Sequence, residues 1–276
     1  MTRSTSWCAG AGSGCGSIPE KELISRRYLR YGGPARDALA RLADEGADGA
    51  SADVDLVDAE QDKAEARVER PISLNQQRLD AVVEAVRSAV RSASATGGRV
   101  VDLGCGEGRL LQELLNEPQV THLLGVDVSA GALERAARRL RIDDLSERRQ
   151  ERVALVQGAL TYLDERIKGH DVATLIEVIE QIDPPRLEVL AQVLFGNAAP
   201  CTVIVTTPNR EYNTHFEGLE PGALRHGDHR FEWTRDELGQ WAAAIAEQHG
   251  YQVELSGIGP SDPVTGSPTQ MAVFRK

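Results

Sequence analysis

At 276 residues the chain can form one well-buried domain of about 200 residues with further material beside it. Acids outnumber bases 42 to 31, a net charge of −11, which argues against non-specific coating of nucleic acid or an anionic membrane and leaves room only for a local basic cleft. Four scattered cysteines, no apolar run near 18 residues and no apolar stretch in residues 1–17 exclude a disulfide framework, a membrane span and a secretory leader, so a soluble, cytoplasmic protein is expected.

Residues 1–17 are rich in Gly, Ser, Ala and Cys, and read as disordered; Cys8 and Cys15, with no second pair nearby, read as part of that start. Residues 20–42 can form a helix, with Leu23, Tyr28, Leu39 and Leu42 available to pack. Residues 44–69 hold ten acids and few large apolar groups, the composition of a solvated linker. Residues 1–70 are therefore an extension, and the compact domain spans 71–276.

The spacing of Leu79, Val82, Val83, Val86 and Val90 predicts a helix from Asn75, ended by Gly97-Gly98. Next comes the stretch on which the rest of the chain hangs, Arg99 to Leu111: a short buried strand, a glycine-rich turn and the first turn of a helix. Gly104, Gly106 and Gly108 remove every second side chain, so a ligand can lie on bare backbone before a helix whose amides point at it. A dinucleotide fingerprint would need glycine where Arg109 stands, so that pattern fails. The strand at 123–128 delivers Asp127, a carboxylate able to accept two ribose hydroxyls.

Beyond it the sequence predicts a helix over Ala130–Leu140, with Arg135, Arg138 and Arg139 on its wet face. Strands follow at Val153–Gln157 and Asp171–Glu177. Pro184-Pro185 opens a helix running to about Phe195, and Thr202–Thr207 is a fifth strand. Thr234 with Glu237 forms a capping box, launching a helix to about His249 that Gly250 stops. Tyr251–Leu255 and Met271–Phe274 close the sheet. Strands alternating with helices predict an α/β fold, a mostly parallel seven-stranded sheet covered on both faces. Ligands in such sheets sit at the carboxyl ends of the strands, where the glycine loop, Asp127 and Glu177 fall.

A second constellation follows the fourth strand. Glu177 and Glu180 share one face if the segment turns helically, and the stretch Leu224 to Trp233 carries His226 and His229. Two glutamates and an imidazole make an oxygen-rich site suited to Mg²⁺ or Mn²⁺, with Zn²⁺ less suited. The same residues also read as helix-surface acids and solvated histidines, and spacing alone does not separate the two.

The run D-L-G-C-G-E-G with an acid some 20 residues on resembles the cofactor loop of class I S-adenosylmethionine (SAM) methyltransferases, which are Rossmann-like. Taken with G-V-D-V-S, E-V-I-E-Q-I-D-P-P-R-L, T-T-P-N-R-E-Y-N and R-H-G-D-H-R-F-E-W-T-R, it resembles the HUA-ENHANCER-type small-RNA 3′-terminal 2′-O-methyltransferases. The bacterial RNA-repair branch is the nearest, over roughly Pro71 to Lys276. The resemblance implies SAM-dependent, metal-assisted methylation of the 2′-hydroxyl at a single-stranded or nicked RNA 3′ end. Asp102, Gly104, Gly106 and Gly108 would hold SAM, Asp127 its ribose, and Arg78 would line that end of the site. Glu177, Glu180 and His229 would be catalytic metal ligands for Mg²⁺ or Mn²⁺. A divalent ion touching the 2′- and 3′-oxygens would lower the hydroxyl pKa and select a terminal ribose. Arg225, Arg230 and Arg235 are candidates for phosphate contacts, and each reads at least as well as an ordinary surface arginine.

The chain departs from the family pattern in three places. Gln181 stands where the family motif E-x-x-E-H has histidine; its carbonyl can join the metal ligands, at lower affinity, with His226 as a partial substitute. Ala159 stands where relatives tend to carry serine beside the cofactor. The bacterial relatives also carry a large N-terminal domain that works with a polynucleotide kinase–phosphatase–ligase; only its tail, residues 20–45, corresponds here, which leaves that partnership open. Two other readings stand beside the leading one: a methyltransferase on another vicinal-diol substrate, and a SAM-binding protein with a degenerate metal site.

Overall fold

The structure, a computed structural model, describes residues 73–92 and 98–276. The expected extension and its helix at 20–42 lie outside the described residues. Those that are described form a seven-stranded sheet of order β3-β2-β1-β4-β5-β7-β6. Strands β1 (Arg99–Leu103), β2 (His122–Asp127), β3 (Val153–Gln157), β4 (Val172–Ile176) and β5 (Thr202–Pro208) run parallel. The last pair, β6 (Gln252–Ile258) and β7 (Thr269–Arg275), form a hairpin whose β7 inserts antiparallel beside β5. The strand order reverses at β1 and β4, and a crevice opens there at the carboxyl ends of the strands.

Helices cover both faces because successive strand residues point to opposite sides. In β1, Val101 and Leu103 join a core with Leu175, Val205, Phe274 and the helices α5 (Leu187–Ala191) and α6 (Arg235–His249). Val100 instead joins the opposite core, under α1 (Leu74–Ser92) and α2 (Arg109–Leu114). The helix α3 (Ala130–Leu140) is capped by Ser129, whose hydroxyl accepts from the Ala132 amide; the short α4 (Glu147–Gln150) precedes β3. The capping box of Thr234 and Glu237 is present in full at the start of α6, and Gly250 ends it in the left-handed region at φ 72°.

The helix expected from Pro184 to Phe195 is three pieces: a 3-10 turn at Pro184–Arg186, α5, and a π turn at Gln192–Ala198. The prolines donate no amide hydrogen, so the first turn tightens. The widened last turn places Phe195 edge-on against Phe274, at 4.8 Å between ring centroids.

Candidate functional site

The crevice is a cavity of about 680 Å³ lined by residues of α1, the glycine loop and the end of β4, among them Arg78, Asp102, Gly104, Gly106 and Glu177. Gly104 and Gly106 both take positive φ, 79° and 52°. A Cβ on Gly104 would stand 2.6 Å from Val178, whereas one on Gly106 meets nothing within 4 Å. The first glycine thus lets the loop pack on the segment after β4, and the second keeps the loop's surface bare toward the crevice. Asp127 fastens the loop to β2: its carboxylate accepts from the Gly106 amide and from the Ser129 amide, each at 2.8 Å.

Asp102 faces the crevice from β1 and is buried, accepting a 2.7 Å hydrogen bond from Thr174. Burial pushes its carboxyl up to about 7, the Thr174 hydroxyl opposes that rise, and the nearby Asp127 charge adds to it. Neighbouring Cys105 is buried, and its thiol is pushed upward by that burial, so it has no thiolate to offer. Ala159 does not line this crevice. It borders a separate small slot with Leu103, Val126 and Leu190.

The end of β4 brings Glu177 to the crevice wall, with Glu180 buried three residues on. Glu177 follows β4 at φ 54°, a sparsely populated conformation for a non-glycine residue. Its carboxylate accepts from Thr206 at 2.9 Å and pairs with Arg78 of α1 at 3.3 Å. Glu180 sits in the 3-10 turn Ile179–Gln181, fully buried, and accepts from Thr207 at 2.9 Å. Consecutive threonines at the end of β5 point to opposite sides, so each takes one glutamate.

His229 reaches Glu180 from the segment after β5. Its Nε2 lies 4.0 Å from Glu180 Oε1, and its Nδ1 lies 2.7 Å from Glu232 Oε1. Glu232 lies between Phe231 and Trp233, which pack on the core, so alternation turns its side chain to the site. Burial pushes the Glu232 carboxyl up, but hydrogen bonds from His229, Arg225 and Asn213 outweigh it and hold the group below the usual carboxylate range.

The four expected metal ligands are not gathered around one point. Among the described residues no group of three or more His, Cys, Asp or Glu side chains stands ready to hold a metal. Glu180 and His229 face each other, Glu177 is drawn to Arg78, and Gln181 is exposed, its amide nitrogen donating to the Glu177 carbonyl. The donor chemistry nonetheless fits a divalent cation: a buried carboxylate opposite an imidazole that is held from behind by a second carboxylate. The His226 ring is 5.4 Å from that of His229 between centroids, and its Nδ1 accepts from the Asp228 amide at 3.0 Å.

The three candidate arginines divide. Arg225 is buried and donates to Asn213 Oδ1 and to the carbonyls of Asn209 and Pro268, so it organises the interior. Arg230 and Arg235 are on the surface, paired with Asp183 and Glu211. Glu232, Asn213, Thr206 and Thr207 had no role in the sequence reading. All four lay inside motifs singled out there, T-T-P-N-R-E-Y-N and R-H-G-D-H-R-F-E-W-T-R, but nothing local says which atoms they meet.

A family model for a methyltransferase domain matches residues 101–195. A small RNA 2′-O-methyltransferase of Arabidopsis thaliana is 34% identical over 218 residues, covering 74% of this chain and 22% of the relative. One of Rattus norvegicus is 38% identical over 188 residues, covering 64% and 46%. The chain thus spans between about a fifth and about half of these relatives. The crystal structure of the methyltransferase domain of a bacterial Hen1 protein is 49% identical, covers 74% of this chain and 100% of its own, and superposes with a TM-score of 0.66. Among the described residues no helix is long and apolar enough to cross a membrane.

Proposed function

The chain belongs to the Hen1 family of small-RNA methyltransferases, and on that footing we propose that it transfers a methyl group from SAM to the 2′-hydroxyl of the 3′-terminal ribose of an RNA. The observation that carries this reading is the continuity of the crevice: Glu177, three residues before the Glu180 that faces His229, lines the same cavity as Asp102 and the glycine loop.

Each group has a task in that reaction. Ionised Asp102 meets the cationic amino group of SAM, and Asp127 takes the ribose hydroxyls of its adenosine half. The bare backbone at Gly106 admits the cofactor without a side chain in its way. The hydroxyl oxygen attacks the methyl carbon as the carbon–sulfur bond breaks; the sulfur keeps the electron pair, the hydroxyl proton passes to water, and S-adenosylhomocysteine leaves. Holding donor and acceptor in line is the larger part of the acceleration. Glu180 and His229, with Glu177, would hold Mg²⁺ or Mn²⁺, whose chemistry is to make the ribose hydroxyl more acidic.

A site that needs the free 3′-hydroxyl beside the 2′-hydroxyl would account for selection of a terminal nucleotide. Gln181, in place of a motif histidine, favours a second reading in which SAM is bound but turnover is lost.

Methyl transfer from labelled SAM to a short single-stranded RNA, with Mg²⁺, Mn²⁺ or chelator, tests the reading. A 2′-deoxy 3′-terminal RNA and a periodate-oxidised RNA serve as controls. Metal-dependent labelling lost with both controls is expected. Labelling of either control RNA would overturn terminal selectivity. SAM binding with no labelling under any ion would establish the second reading.

A further inference from the structure

The hydrogen bonds behind His229 have a direction, and it can be read from one end. A guanidinium only donates. Arg225 Nε donates to Asn213 at 2.7 Å, so the Asn213 atom there is the carbonyl oxygen and its amide nitrogen must face the other way. That nitrogen donates to Glu232 Oε2 at 2.6 Å. The other oxygen, Oε1, accepts the backbone amide of Arg225 at 2.7 Å. Glu232 is thus an acceptor at both oxygens. His229 Nδ1, 2.7 Å from Oε1, must be the donor.

A neutral ring with its hydrogen on Nδ1 leaves a lone pair on Nε2. That lone pair faces Glu180 Oε1 across 4.0 Å, too far for a hydrogen bond and with an acceptor on each side. We propose that Glu232 is a positioning residue: the relay Arg225–Asn213–Glu232 holds His229 in the Nδ1–H tautomer and presents its Nε2 as a ready cation ligand opposite Glu180. The inference rests on the metal reading above for its purpose, though not for the tautomer itself.

The relay also explains why Arg225 is inside. Its second arm donates to the carbonyls of Asn209 and Pro268, at 2.8 and 2.7 Å, so the donor that starts the relay cannot rotate away. Asn213 is carried by the 3-10 turn Arg210–His215, directly after β5. The direction of every bond is therefore set by elements that the sheet already fixes. Glu232→Gln breaks this polarity: an amide nitrogen at either oxygen position would meet an N–H, from Arg225 or from Asn213.

Two measurements on the full chain test this. The first is a long-range ¹H–¹⁵N correlation spectrum of metal-free, histidine-labelled wild type, with His229→Gln to assign the ring. The Nδ1–H pattern is expected; an Nε2–H pattern overturns the relay whether or not any metal binds. The second is Mn²⁺ titration by calorimetry of wild type and Glu232→Gln, with SAM binding as the control for folding. The variant is expected to lose about 10- to 100-fold in Mn²⁺ affinity with SAM affinity within about twofold of wild type. Unchanged Mn²⁺ affinity overturns the positioning role while leaving the metal reading intact. Should wild type bind no Mn²⁺, the metal reading fails and the tautomer spectrum alone decides the relay. Should Glu232→Gln not fold, Asn213→Ala takes its place, with the same losses expected on a smaller scale and unchanged affinity again counting against the relay.

Discussion

Arg78 of α1 and Glu177 at the end of β4 form an ion pair of 3.3 Å across the crevice, with side chains only 8% and 15% exposed. The pair ties the helix that closes the crevice to the strand that carries the first of the two glutamates. Arg78 also donates to Thr269 of β7 at 3.3 Å, so the same guanidinium reaches the hairpin strand.

Arg78→Met should therefore cost stability, because it leaves the Glu177 charge buried without its counterion. The expected loss is about 3 kcal/mol in denaturant unfolding. A loss below about 0.5 kcal/mol, the range of an ordinary surface substitution, would mean that the pair contributes no more than an exposed one.

Asp102 makes stability fall as pH rises. Its folded carboxyl is raised to about 7 from an ordinary 3.8, so between those values the native chain holds a proton that the unfolded chain has lost. That contribution is complete below about 4 and is gone once the pH has passed 7, a change of roughly 4 kcal/mol. Asp102→Asn should match wild type at acid pH and be more stable above neutrality. SAM binding should show the opposite trend. The cationic amino group requires the ionised carboxylate, so wild-type affinity should rise through pH 7 and the variant's should stay low and flat. Calorimetry from about pH 5.5 to 8.5 checks both trends.

The two loop glycines should fail differently. Gly106→Ala places a methyl group in open crevice at a left-handed φ, so it should lose about 1 kcal/mol of stability but more than tenfold in SAM affinity. Gly104→Ala adds a clash with Val178 to the same backbone strain and should lose about 2–3 kcal/mol. Thermal unfolding beside SAM titration separates them; equal losses on both readouts would contradict this division.

Thr207→Val keeps the shape of the β5 terminus and removes the hydroxyl that donates to buried Glu180. About 2 kcal/mol of stability should go with it, since the acceptor is a fully buried carboxylate. SAM affinity should stay near wild type, as Thr207 is outside the crevice lining. A SAM affinity that falls in step with stability would show that the β5 terminus supports the whole crevice.

Much of this molecule was legible residue by residue. The helix Ala130–Leu140, the capping box at Thr234 and Glu237, the stop at Gly250 and the strand Val153–Gln157 lie where the sequence placed them. Those signals are local: an apolar period, a cap three residues from its partner, a glycine whose φ only a turn demands. The break in the helix after Pro184 was not legible beyond its prolines, because the π turn at Gln192–Ala198 serves the packing of Phe195 on a strand far along the chain.

The sequence by itself determined the glycine loop, the acid that follows it, the two glutamates beyond β4 and the family these motifs resemble. Only the tertiary structure decided how those groups are wired. It turned Arg225 inward instead of toward phosphate, set Thr206 and Thr207 on separate glutamates, and drew Glu177 to Arg78 while Glu180 faces His229. The physical reason is that backbone conformation answers to neighbours a few residues away. A buried polar atom must instead find its partner wherever the fold has brought one within about 3 Å, and sequence spacing carries no record of that distance.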